Sequence, residues 1–245
     1  MVSNAKHTRA KAALATSSLA RQVANAATET AHRALNLPTT ISDIFRNRRR
    51  KIMRLRVVIL RDEHGQPVAE PTDVMPSITD AQEIFLRDTN VQIVPFDRDF
   101  IVQAPAAAPT QALDVSCGAG AYTADLGAAG HYFRTHAANT RGVQGFEAPV
   151  TVFIVRTMAG ANGCALGPIA NYATVSVAGL RSRMDPCQSG SPRTAHRVLA
   201  HELGHMCGLL HSKDCVDLMY QSAGTRFTTK VQVLAVRSSR FVAAK

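Results

Sequence analysis

Apolar positions along the chain fall into short β-branched runs and one strong helical repeat. Leu55-Arg56-Val57-Val58-Ile59-Leu60 stops at the turn signal Asp62-Glu63-His64-Gly65 and predicts a buried first strand. Thr79, followed three residues on by Gln82, predicts a capping box opening a helix through Asp88, with Ala81, Ile84 and Phe85 inward. Val91–Phe96 predicts a second strand and Val150–Val155 another interior one; Gly163–Ala170 and Tyr172–Val177 are shorter strands separated by turn residues. Residues 103–130, rich in Ala, Pro and Gly, show no period and read as loop. Strands alternating with helices predict an α/β (α+β) domain built on a mixed sheet.

Two further helices carry clear start signals. Ser191-Pro192 places a hydroxyl cap before Pro at the first helical position, so a helix is expected over Arg193–Cys207, stopped by Gly208. Thr229-x-x-Gln232 caps a last helix with Val231, Leu234 and Ala235 inward. Upstream, about Ala10 to Leu35, a weakly amphipathic helix is expected from the Ala and Leu content.

Charge divides the chain. The 245 residues carry a formal net charge of +10, but residues 1–56 hold 12 basic and 2 acidic residues and so account for all of it. Residues 57–245 hold 16 of each sign and sum to zero, which argues against a nucleic-acid-binding body; only the basic tail is suited to polyanions. No apolar run approaches the roughly 18 residues of a membrane span. At 46% hydrophobic residues the chain is too apolar for disorder, and with no Trp its core must be aliphatic. The expected organisation is a basic, acid-poor segment over 1–54 and a single-core domain over 55–245. The segment is not a convincing Sec signal, because Ala12–Ala20 is short and interrupted by Thr16, Ser17 and Ser18. A transit peptide, a pro-segment, a leader for another export route and a loosely helical tail all stay open. The run Arg46, Arg48, Arg49, Arg50, Lys51, Arg54 and Arg56 reads as a phosphate-binding patch, a processing site or, most simply, a solvated linker.

The chemistry lies between His201 and Met219. His201 and His205, four apart on a helix, project from one face at neighbouring turns, as two ligands of one metal ion require. Glu202 is the next residue round, placed to bond a metal-bound water rather than to ligate. Zinc lowers the pKa of such a water to about 7, within reach of a carboxylate base. Gly208 lets the chain turn sharply so that His211 swings back as a third nitrogen ligand, leaving the open position of a catalytic site. At ordinary residue frequencies a chain of this length shows H-E-x-x-H-x-x-G-x-x-H by chance about once in 10^5.

The stretch His201-Glu202-Leu203-Gly204-His205-Met206-Cys207-Gly208-Leu209-Leu210-His211-Ser212, followed by Asp217-Leu218-Met219-Tyr220, resembles the metzincin clan of zinc metallopeptidases and most closely its matrixin branch. The resemblance implies a twisted mixed sheet with an antiparallel edge strand near Gly163–Pro168, an active-site helix, and a small C-terminal subdomain ending in a helix. It implies zinc held by His201, His205 and His211, Glu202 as general base, Gly208 at the turn and Met219 in the Met-turn beneath the metal. It further implies an endopeptidase whose protein substrate lies extended along the edge strand. The alternative is a zinc-binding, non-catalytic peptide-interaction protein, against which the retained Glu202 speaks.

Several positions depart from the pattern. A cysteine-switch segment and a second, structural zinc site are not recognisable; His131 and His136, five apart, read as solvated or locally bonded, and His196 as a surface or supporting residue. Gln221 stands where matrixins usually carry Pro. The five cysteines, Cys117, Cys164, Cys187, Cys207 and Cys215, allow two disulfides and a leftover thiol whose pairing the sequence leaves open. A Cys207–Cys215 bridge would pin His211, and Cys187 is a remote nominee for an inhibitory fourth ligand. Two disulfides would place the protein in an oxidising compartment, reached without an obvious Sec signal; an intracellular or organellar location is the alternative.

Overall fold

The computed structural model describes Thr16 and residues 19–35, 49–117, 127–138, 147–182, 187 and 196–245. The first strand, β1 (Lys51–Arg61), starts four residues before the expected run and organises the rest. On one side it pairs in parallel with β2 (Val91–Pro95) along Lys51–Leu55, and then with β3 (Ile101–Ala107) from Val57 onward. On the other side it pairs in parallel with β5 (Val150–Val155) and, over Lys51–Met53, antiparallel with β9 (Val242–Ala244). β8 (Tyr172–Ser176) continues the sheet in parallel, and β7 (Gly163–Ala165) closes it as an antiparallel edge. β4 (Asp114–Ser116) and β6 (Thr157–Ala159) form a separate two-stranded ribbon.

Both faces of the sheet are covered, which is why β1 changes from alternating to continuous burial along its length. Met53, Leu55, Val57 and Ile59 point to the face covered by α2 (Pro71–Thr89) and the metal-region helix α6 (Val198–Met206), joining Ile78, Phe85, Leu203 and Met206. Val58 and Leu60 point the other way, to α3 (Thr110–Leu113) and α4 (Ala128–His136), where Phe133, Phe153 and Tyr172 pack together. The remaining helices are α1 (residues 19–35), α5 (Val177–Arg181) and α7 (Lys230–Ser238).

Several expectations are corrected. α2 begins at Pro71, not Thr79: Pro71 occupies the first helical position and the Asp73 carboxylate accepts the Glu70 N–H at 3.1 Å, so the start signal is Glu70-Pro71-x-Asp73. Thr79 is an interior residue whose hydroxyl donates to the Met75 carbonyl, and Gln82 donates to Ile93 on β2. The expected loop over 103–130 contains β3, α3, β4 and the start of α4. The strand expected over Gly163–Ala170 ends at Ala165 and gives way to a 3-10 turn at Gly167–Ile169. α7 keeps its Thr229/Gln232 capping box, but Val231 is 74% exposed and the inward face is Val233, Val236 and Arg237. The chain does not stop at α7, since β9 follows it into the sheet.

The basic run is not uniformly a solvated linker. Arg46 and Arg48 lie outside the described residues, but Lys51, Arg54 and Arg56 are in β1. Lys51 is buried, and its ammonium donates to the Arg237 carbonyl at 2.9 Å; Arg237, also buried, donates to the carbonyls of Thr89 and Arg49. Backbone carbonyls take the place of the water these buried side chains give up.

Candidate metal centre

α6 begins at Val198, later than the expected Arg193; the Ser191-Pro192 signal lies outside the described residues. Its inner face is apolar, with Leu199, Ala200, Leu203 and Met206 buried against the sheet. That packing aims His201 and His205 away from the core into a cleft of about 750 Å³. Its walls are the β7 edge and following turn on one side, Gly208–His211 on another, and Gln221–Ala223 at the base. Gly208 has φ +81°, the left-handed conformation a side chain disfavours, and there the chain reverses to bring His211 back over the helix.

The three imidazoles converge. His211 Nε2 lies 3.3 Å from His201 Nε2 and 3.1 Å from His205 Nε2. The opposite nitrogens are engaged: His201 Nδ1 donates to the Leu218 carbonyl at 2.7 Å and His205 Nδ1 to the Leu209 carbonyl at 2.7 Å. A carbonyl can only accept, so each Nδ1 carries the proton and each Nε2 presents a lone pair. Burial lowers the His201 pKa to about 4, helped by the neighbouring His205, and lowers that of His205 too. Both rings are therefore neutral at pH 7, which is the ligating form. Among the described residues these three form the one cluster of this kind able to hold a metal ion.

Glu202 is buried, and its Oε2 has no hydrogen-bond partner among the described residues. Burial pushes its pKa up to about 8. A cation at the imidazoles would draw the value down again.

Met219 is fully buried beneath α6. A Cβ on Gly204 would clash with the Met219 sulfur, so the absence of a side chain at Gly204 lets the turn close under the helix. Asp217, two residues earlier, is a site residue the sequence reading passed over. Its buried carboxylate accepts the Met219 N–H at 2.8 Å, the Thr228 hydroxyl at 2.5 Å and the Gln232 amide at 2.8 Å. That network sets the position of Leu218, whose carbonyl orients His201. Gly163 was also missed: a Cβ there would lie 2.5 Å from Glu202 Oε1, so the edge strand rests directly on the carboxylate. An acid immediately before the Leu-Met-Tyr turn was the readable signal for Asp217; Gly163 had none.

The other nominees lie elsewhere. His136 stacks on Tyr132 and bonds the Tyr132 carbonyl, within α4. His196 precedes α6 and bonds the Leu180 carbonyl. The cysteines pair as Cys117–Cys164 and Cys187–Cys215, with Cys207 a buried thiol, so the Cys207–Cys215 bridge is corrected and Cys187 is committed to a disulfide. Cys207 faces inward from the end of α6, which removes it from reach of Cys215. The bridge from Cys187 still anchors the loop after His211, while Cys117–Cys164 ties the edge strand to the ribbon strand β4.

Comparison with known proteins agrees with this geometry. The matrixin family model matches residues 122–235, a span that includes α6, the Gly208 turn and the Met219 turn. Among solved structures, mirolysin in complex with compound 9 is similar at a TM-score of 0.50 and 12% identity, over 78% of this chain and 91% of that one. Mature mirolysin of Tannerella forsythia in complex with a cleaved peptide gives 0.46 at 12% identity, over 77% and 90%. Metalloproteinase-II of Bacteroides fragilis gives 0.45 at 14% identity, over 80% of this chain and 60% of that one. At such identities the likeness is one of fold. No curated protein matches by sequence. A matrixin-type motif, matched by the family model and folded so that its three imidazoles meet above a buried methionine turn, marks the chain as a metallopeptidase with a metzincin-like fold.

Proposed function

We propose that the chain is a zinc-dependent endopeptidase acting on extended protein substrates, with His201, His205 and His211 as ligands and Glu202 as general base. The observation that carries this reading is the buried Glu202 carboxyl, its Oε2 without a partner among the described residues, beside three converging imidazoles in an open cleft. Three imidazole nitrogen donors suit zinc, whereas magnesium and calcium prefer oxygen. Nitrogen ligands at zinc–nitrogen bonds of about 2.0–2.1 Å sit about 3.3 Å apart in a tetrahedron; the separations of 3.3 and 3.1 Å to His211 are of that size. Bound there, zinc would supply the Lewis acidity that makes water a nucleophile near neutral pH.

The chain's own residues supply the proton transfer. Glu202 takes the proton of the attacking water and later gives it to the leaving amine, a double role open to a carboxyl held beside the three imidazoles and kept out of bulk water. β7 is antiparallel and ends the sheet, so its outer edge offers backbone groups to a substrate strand, with Gly163 holding that edge against Glu202. Gly208 and Met219 position the ligands and do not react. Two disulfides support an oxidising compartment for the working protein.

The test is zinc per chain together with cleavage of a denatured protein, for wild type, Glu202→Ala and His205→Ala. One zinc is expected in wild type and Glu202→Ala, with cleavage falling about 10^4-fold in the latter. His205→Ala is expected to lose both. Glu202→Ala cleaving at the wild-type rate would remove the general base, and cleavage by neither protein at full zinc occupancy would favour a peptide-holding role.

A further inference from the structure

Outside the metal centre, buried polar side chains concentrate where α1 meets the body. Glu29 and His32 are each only 4% exposed. One Glu29 oxygen pairs with Arg33 Nε at 2.6 Å and the other accepts the backbone N–H of Arg240 at 2.9 Å. Arg33 Nη2 donates to the Cys207 carbonyl at 2.5 Å, at the C-terminal cap of the metal-region helix. The same nitrogen would be 2.9 Å from a Cβ on Gly208, so it covers the turn that leads to His211. About two helix turns before Arg33, Asn25 donates to the Ile169 carbonyl at 2.8 Å. Arg240, whose N–H binds Glu29, donates through its guanidinium to the Pro168 and Ala170 carbonyls at 3.0 Å each.

These bonds reach two neighbouring segments that line the site. Pro168 and Ile169 belong to the turn that continues the edge strand, and Gly208, beside Pro168, to the turn that leads to His211. We infer that α1 is a working part of the peptidase, with Asn25, Glu29 and Arg33 as positioning residues that set the distance between the edge-strand wall and the metal-binding turn. The physical reasons are two. Helix C-terminal carbonyls lack intrahelical donors and carry the negative end of the dipole, so a guanidinium at Cys207 fixes the last turn of α6. Gly208 has no side chain to hold its own conformation, so what covers it decides where His211 returns. Glu29 then holds Arg33 in place from a buried position, where an unpaired partner would be costly.

This inference rests on the peptidase reading of the site and opposes the view of residues 1–54 as a removable pro-segment; removing them would also cut Lys51–Arg54 from β1. The test uses the full chain and the variants Arg33→Met, Arg33→Lys and Asn25→Ala. Zinc loss to a chelator is timed, and kcat and KM are measured on a denatured protein. Arg33→Met is expected to release zinc about 10–100 times faster, with Arg33→Lys partly restoring retention. Asn25→Ala is expected to raise KM with kcat near wild type, because it loosens the wall and leaves the ligands in place. Zinc release and kcat/KM both within twofold of wild type in Arg33→Met would overturn the inference, as would a gain in activity. Zinc release is read without turnover, so failure of the peptidase reading and failure of this inference are separable; if Arg33→Met does not fold, the lysine and Asn25 variants still decide it.

Discussion

Along β5 every side chain from Val150 to Val155 is buried, and the strand is held by parallel neighbours and by Phe133, Phe153 and Tyr172 packed over it. From Cys207 to Thr229 the chain forms no helix and no named strand, yet this stretch carries His211 and Met219. Its shape comes from directed bonds: Ser212 N–H to Met219, Leu218 N–H to Arg226 at 2.6 Å, Gly224 N–H to Asp217, and the Asp217 carboxylate to three donors. Apolar burial is strong but non-directional, so it supports a platform without specifying atoms to tenths of an ångström. Hydrogen bonds are weaker in net stability but fix direction, which is what three converging nitrogens need.

The contrast predicts that damage to the sheet and damage to the loop will be read by different measurements. Phe153→Ala, in the fully buried aromatic cluster, is expected to lower unfolding free energy by about 4 kcal/mol, measured by denaturant melting. Molecules that remain folded should bind zinc as tightly as wild type. A parallel loss of zinc affinity would show that the platform and the site are not separable.

Asp217→Ala removes the common acceptor of Met219, Thr228 and Gln232. A stability loss of about 3 kcal/mol is expected from the stranded donors. Here zinc affinity should fall as well, about 10–100-fold, because the Leu218 carbonyl that orients His201 is released. Titration with a chelator checks it; unchanged affinity would assign Asp217 to the fold alone.

The smallest effect should come where the two regions touch. Gly163→Ala places a methyl against the Glu202 carboxylate, which must shift. Zinc retention is expected to stay as in wild type while kcat falls about tenfold. An unchanged kcat would mean that the edge strand yields more easily than the carboxylate.

Much of the platform was legible because its signals are local. The β1, β2 and β5 runs stand out by side-chain type, and the Thr229/Gln232 box marks α7 within four residues. The helix start at Glu70 was obscured by a second pattern, Thr79-x-x-Gln82, that satisfies the same rule from inside the helix. Within α7 the cap was readable but the buried face was not: Val231 is as apolar as Val233, and only the body of the protein selects between them. The weight of α1 was hidden by tail-like composition; its one local hint was Glu29 and Arg33 spaced four apart.

The sequence by itself determined that His201 and His205 share a helical face, that Gly208 turns the chain, and that His211 follows at a reach that allows convergence. Those are consequences of helical period and of a glycine's freedom at positive φ, which act over a few residues. Only the tertiary structure decided which cysteines pair and that α1 bonds two segments lining the cleft. Each of these joins residues tens to hundreds of positions apart, as Arg33 joins Cys207. Such choices depend on which partners the packed core brings within bonding distance, and local pattern carries no record of that.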